Sequence, residues 1–250
     1  MSTSTVESTR LANADGAVVI RMNRPEKRNA LTEADMHVLS QRLHECHHDP
    51  SVRAVVLTGA GNAFTSGQDV NDINSKSGTD LAALFERDAD ILMRIVTMPK
   101  PVIAAVNGVS AGFGNHLAIC SDYCMVAASA MFHFTGAAKG IPSPMLGTLL
   151  LPMVIGMKRA KAIYLRGGKY SPANALADGL CNEVVSDDGW QPALRLIASE
   201  FCGRDPQVLA LNKHLLNQGA MQMFGALRLS GLAGASLLSN AVGLKTGRVP

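Results

Sequence analysis

The chain has 250 residues, 47% of them apolar and 17% charged. That is enough for one sizeable core and excludes a disordered chain. A formal charge of +3 and an aromatic content of 4% argue against nucleic-acid binding; a mild positive charge favours a small anionic ligand.

The start, Met1-Ser2-Thr3-Ser4-Thr5-Val6-Glu7, has no apolar signal region. Residues 16–22 read as a strand, followed by the charged turn Asn23-Arg24-Pro25-Glu26-Lys27-Arg28-Asn29-Ala30-Leu31. Residues 32–48 read as a helix, with Thr32 as N-cap and Asp35 at N3. Its apolar residues Met36, Leu39 and Leu43 recur every three to four positions. His37, His44, His47 and His48 on that helix read as a solvated face. A strand at 53–58 leads into Gly61-Asn62-Ala63-Phe64-Thr65-Ser66-Gly67-Gln68-Asp69-Val70. A helix follows at 79–98. A second strand at 102–106 leads into Asn107-Gly108-Val109-Ser110-Ala111-Gly112-Phe113-Gly114-Asn115-His116. Glycine lets such loops take positive φ and lets a ligand approach the backbone. Amides at a loop-to-helix corner are free to point at an anion.

Residues 114–120 read as a short buried helix, and 123–127 and 130–134 as strands. Helices follow at 143–155, 158–166, 172–178, 189–203 and 205–217. Alternating strands and helices predict an α/β core with mainly parallel strands. This pattern does not distinguish a spiral from a doubly wound sheet. Residues 218–243 carry one charge, Arg228. Membrane span, core helix and oligomer interface all compete there; the glycines, serines and Arg228 argue against the span. Five cysteines, at 46, 120, 124, 181 and 202, form no dense framework and predict reduced thiols in a cytoplasmic setting. Cys120 and Cys124 lack partners with metal-ligand spacing and read as core. Walker, nucleophile-elbow and dinucleotide-binding patterns do not occur.

The segment 23–31 and the two glycine segments, in this order and spacing, resemble the crotonase superfamily, also called the enoyl-CoA hydratase/isomerase family. The resemblance spans residues 10–215. It implies an α/β fold built as a crotonase-like spiral of ββα repeats with a helical C-terminal trimerisation region. On that reading residues 1–195 form the spiral core domain and 196–250 the oligomerisation region. It further implies an acyl-CoA substrate of fatty acid metabolism, with coenzyme A carried by the substrate, no separate cofactor and no metal. Neither nucleic acid nor membrane is an expected partner; a homotrimer or dimer of trimers is. The tail, 239–250, lacks the acids that relatives carry there.

The resemblance implies an oxyanion hole for a thioester enolate. Its donors are expected to be the backbone N–H groups of Ser66 and Phe113. Ala63, Phe64, Gly67, Gln68, Asp69, Val70 and Gly112 are expected to line the coenzyme path. Lys27, Arg28 and Ala30 are expected at its phosphate and adenosine end, where Lys and Arg suit phosphate. Hydratases of the family carry glutamates at the positions of His116 and Gly136, and isomerase relatives an acid at that of Pro144. No carboxylate stands at any of the three. His116 is then the expected replacement acid/base, with a buried structural histidine as the competing reading. His133 and Asp122 read as structural, and Asp69 as structural or coenzyme-adjacent. The expected activity is of the enoyl-CoA hydratase/isomerase type with a non-standard acid/base. Decarboxylation, hydrolysis, or acyl-CoA binding without turnover are the alternatives.

Overall fold

A computed structural model describes residues 5–76, 78–223, 231 and 233–237. Ten strands occur among them: β1 (Val6–Arg10), β2 (Ala17–Met22), β3 (Ala54–Gly59), β4 (Ala63–Thr65), β5 (Val102–Val106), β6 (Val109–Ala111), β7 (Tyr123–Ala127), β8 (Met131–Phe134), β9 (Gly168–Tyr170) and β10 (Glu183–Val185). The helices are α1 (Glu33–His48), α2 (Val70–Asn74), α3 (Gly78–Thr97), α4 (Phe113–Cys120), α5 (Gly136–Lys139), α6 (Leu146–Ile155), α7 (Met157–Arg166), α8 (Pro172–Asp178), α9 (Trp190–Cys202), α10 (Pro206–Leu216) and α11 (Gln218–Gln222).

Two sheets form, in the orders β1-β2-β3-β5-β7-β10 and β4-β6-β8-β9. The strand pairs β3–β4, β5–β6 and β7–β8 each send their first strand to the large sheet and their second to the small one. Both sheets take these strands side by side and parallel. The chain therefore climbs one strand per turn in both sheets at once. That is a spiral of strand pairs, and it decides against the doubly wound alternative. β3, β5 and β7 are almost wholly buried apolar runs, as expected for parallel strands covered on both faces.

Thr32 and Asp35 close a reciprocal capping box at the start of α1. Asp35 also accepts from the Thr5 amide at 2.7 Å, which ties the chain start to α1. The glycine segments hold more structure than expected: the three-residue strands β4 and β6 run through them. β1, β9, β10 and α5 are further elements without a sequence signal. The domain boundary expected at 195/196 falls inside α9, a continuous helix whose Leu194, Ile197 and Ala198 are buried in the core. A division there would cut that helix. The apolar segment 218–243 lies mostly outside the described residues. Among the described residues, no helix is long and apolar enough to cross a membrane, and no cluster of His, Cys, Asp and Glu has metal-binding geometry.

Asp122 has the structural role expected of it. It accepts from the Val102 amide at 2.7 Å and from Lys213 Nζ at 2.6 Å. Lys213 also donates to the carbonyls of Ile95 and Lys100, so one buried cation ties α10 to α3 and β5. Lys213→Ala leaves the Ile95 and Lys100 carbonyls and the partly exposed Asp122 carboxylate without this donor. It is expected to cost about 1.5–3 kcal/mol in urea unfolding, and the double variant Asp122→Asn/Lys213→Met less.

Candidate active site

Asn29 organises the first loop. It sits in the left-handed region with φ of 55°, which asparagine tolerates better than most residues. Its side-chain Nδ2 donates to the carbonyls of Ala60 (2.9 Å), Ala63 (2.8 Å) and Phe64 (3.2 Å). Its own carbonyl accepts from Thr65 Oγ1 at 2.6 Å, and that hydroxyl accepts from the Gly67 amide at 3.0 Å. Ala63 and Phe64 are consequently core strand residues with buried side chains. Their expected place along a coenzyme path is corrected: only their backbone could line one, and their carbonyls already bond to Asn29.

The two glycine loops meet at Gly67. A Cβ added there would lie 2.9 Å from the Phe113 nitrogen and 2.9 Å from the Ala111 carbonyl oxygen. Gly67 has φ of 92° and Gly112 of 52°, so both glycines satisfy a backbone demand and Gly67 a spatial one. Phe113 is the first residue of α4, and its N–H has no protein acceptor among the described residues. The expected Ser66 donor is corrected. Its N–H donates to the Arg28 carbonyl at 2.9 Å and is not available to a ligand. Beside Gly67, the Gln68 amide has no protein acceptor among the described residues. A bridge to Leu31 engages its neighbours instead: Leu31 N–H donates to the Gly67 carbonyl and Asp69 N–H to the Leu31 carbonyl.

Asp69 caps α2 through the Asn71 amide and pairs with Arg24 at 2.8 Å. Burial raises its carboxyl, but Arg24 and the Asn71 amide outweigh burial and hold it below the usual carboxylate range. Val70 is exposed, as are Lys27 and Arg28, while Ala30 is half-buried. Arg28 lies close enough to His133 to act on its charge, together with Lys139 and Lys169; burial and these three cations lower the His133 pKa.

His116 is buried, 2% exposed, one helical turn after Phe113. Its Nε2 lies 2.8 Å from Ser143 Oγ. Its Nδ1 is buried without a partner, and Gly147 packs against it. The ring lies nearly parallel to Tyr164 at 6.3 Å. Burial pushes its pKa down to about 3, so the imidazole is neutral at ordinary pH. Ser143 accompanies it without having been expected. The acid positions named from the resemblance hold no carboxylate, as Gly136 starts α5 and Pro144 precedes α6.

A buried acid beside the first loop comes from α3. Asp88 on α3 is 0% exposed, and its Oδ2 accepts from the Gln68 side-chain Nε2 at 2.8 Å. Its Oδ1 makes no hydrogen bond; Arg87 Nη2 is 3.6 Å away. Burial pushes its pKa up to about 7, against Arg87 and Gln68, which favour the ionised form. Its signal was present in the sequence: it continues the apolar face Leu81, Leu84, Phe85, Ile91, Leu92 and Ile95. A cavity of about 250 Å³ lined by Phe134, Ile163, Arg166, Lys169 and Tyr170 includes none of Gln68, Phe113 and His116.

A family model described as enoyl-CoA hydratase/isomerase matches residues 12–227. The chain belongs to the enoyl-CoA hydratase/isomerase family. The 1,2-epoxyphenylacetyl-CoA isomerase of Escherichia coli K12 is 35% identical over 207 residues, covering 81% of this chain and 79% of that protein. A probable enoyl-CoA hydratase of Rhodobacter capsulatus is also 35% identical over 207 residues, covering 82% and 79%. The crystal structure of an enoyl-CoA hydratase/isomerase from Xanthobacter autotrophicus Py2 superposes with a TM-score of 0.85 at 28% identity, over 99% of this chain and 95% of that one. The chain is thus an enoyl-CoA hydratase/isomerase-like enzyme with the crotonase fold.

The raised pKa of Asp88 has a consequence for stability. Its folded value, about 7, lies above its ordinary 3.8. Between those values the folded protein holds the proton more tightly than the unfolded chain, so stability falls as pH rises from about 4 to about 7. Asp88→Asn removes that slope. Calorimetric Tm values at pH 5 and pH 8 are expected to differ less in the variant than in the wild type.

Proposed function

We propose that this chain acts on acyl-CoA thioesters as an enzyme of the enoyl-CoA hydratase/isomerase type, holding the thioester oxygen between the amides of Gln68 and Phe113. The observation that carries this is the approach of Gly67 to the Phe113 nitrogen, beside two amides without protein acceptors. Two fixed donors at an oxygen that gains charge lower the barrier to an enolate by several kcal/mol. Arg28, Lys139 and Lys169, which all act on the charge of His133, suit the phosphates of a coenzyme A moiety. Free cysteines, four of the five buried, fit a cytoplasmic setting.

The chemistry favours isomerisation over hydration. Syn addition of water needs groups to activate water and to supply a proton, and residues 116, 136 and 144 offer no pair of acids. Moving a proton along the acyl chain needs one base. The Escherichia coli relative is itself named an isomerase. His116 serves here as a neutral group that holds the Ser143 hydroxyl, a use of imidazole that depends on a lowered pKa. Exposed Val208, Leu211, Leu215 and Leu216 on α10, the last 83% exposed, support burial of this helix in a trimer or dimer of trimers.

The test is absorbance of the conjugated thioester with crotonyl-CoA and with a 3-enoyl-CoA. Turnover of the 3-enoyl-CoA is expected to exceed that of crotonyl-CoA. Gly67→Ala places a methyl against the Phe113 amide and is expected to lower kcat by about 100- to 1000-fold. Tight acyl-CoA binding with no turnover of any thioester would instead mark a binding protein.

A further inference from the structure

Asp88 interrupts the buried apolar face of α3. One carboxylate oxygen accepts from the Gln68 side chain at 2.8 Å. The other accepts no hydrogen bond and lies 3.6 Å from Arg87 Nη2. A leucine would serve stability better at this place in the repeat, since a dry carboxylate is costly even when paired. What Asp88 supplies and a leucine cannot is an acceptor for Gln68. The main chain around Gln68 is held from the other side by Leu31. The Leu31 amide donates to the Gly67 carbonyl at 2.8 Å, and the Asp69 amide donates to the Leu31 carbonyl at 2.8 Å. The Gly67 carbonyl shares a peptide plane with the Gln68 N–H, and a trans peptide points the two in opposite directions. The Gln68 N–H therefore faces away from Leu31. That bridge is isolated, one residue pair long, so it sets the direction of the amide and leaves its place to other contacts. The bond to Asp88 ties the same residue to α3. Helix α3 also packs against α4, whose first residue is Phe113. One helix thus braces both proposed donors.

We propose that Asp88 is a positioning residue: by holding the Gln68 side chain against α3, it sets the separation between the Gln68 and Phe113 main-chain amides. The proposal rests on the oxyanion-hole reading above. Asp88 is sealed from solvent, so it neither touches substrate nor moves a proton. It acts through Gln68 alone. Two donors stabilise a developing oxyanion only when both reach the point that the oxygen will occupy. A displacement of about 1 Å can cost about 100-fold in rate. The side-chain bond at 2.8 Å therefore bears on the chemistry, although neither of its partners' side chains takes part in it.

The test joins two readouts on the full chain: kcat and KM for a 3-enoyl-CoA, and the infrared carbonyl stretch of bound butyryl-CoA. That band falls in frequency as donors polarise the C=O bond, and a merely structural role for Asp88 leaves it in place. Asp88→Leu removes the acceptor. It is expected to lower kcat by about 10- to 100-fold with KM within about twofold, and to move the bound band back toward that of free butyryl-CoA. Gln68→Met cuts the same bond from the loop side and is expected to do the same, which keeps the test open should Asp88→Leu not fold. Asp88→Asn keeps an oxygen for Gln68 and is expected to restore most of the rate and of the band shift. Leucine and methionine variants with the wild-type rate and band overturn the role of Asp88 and leave the oxyanion hole standing. A lost rate with an unmoved band overturns it too, as does an Asp88→Asn variant as impaired as Asp88→Leu. A wild-type complex whose band matches free butyryl-CoA overturns the oxyanion-hole reading and this one with it.

Discussion

The site depends on the contact between Gly67 and the Phe113 amide. No residue with a side chain fits at position 67, because its first carbon would collide with that nitrogen. The approach is possible because the spiral lays β4 and β6 side by side, bringing the ends of both glycine loops to one place. Asn29 then fixes the first loop by tying three of its carbonyls to one amide group. Hydrogen bonds made this way are individually modest. Together they decide which amides are used up internally and which remain for a ligand.

The electrostatics follow from burial. Dry surroundings disfavour whichever form of a group is charged. They make His116 neutral, with its Nε2 2.8 Å from Ser143 Oγ. They raise Asp88 toward neutrality. Gly136 and Pro144, two of the positions where the resemblance leads one to expect acids, offer no ionisable group. A buried acid on α3, Asp88, is bound by the Gln68 side chain of the first glycine loop.

Much of this was legible in the sequence. Residues 102–106, 123–127 and 172–178 coincide with β5, β7 and α8, because β-branched runs and a capped, proline-started helix are strong local signals. The capping box at Thr32 was equally plain. The strands β4, β6 and β9 were hidden because each is only three residues long, too short to show a period of two. β1 escaped because its sequence is mostly polar and exposed. The choice of Gln68 over Ser66 was out of reach, since it turns on the Arg28 carbonyl, which lies far off in sequence. Asp88 was concealed by its neighbours: among Glu86, Arg87 and Asp90 it passes for one more solvated charge, although its place in the helical repeat is apolar.

A crystal structure of the protein with butyryl-CoA would locate the thioester oxygen relative to the two amides. The account predicts the thioester oxygen about 2.7–3.1 Å from the backbone nitrogens of both Gln68 and Phe113, with the coenzyme phosphates toward Arg28. A thioester oxygen bound elsewhere, or either amide turned onto a protein acceptor in the complex, would contradict it.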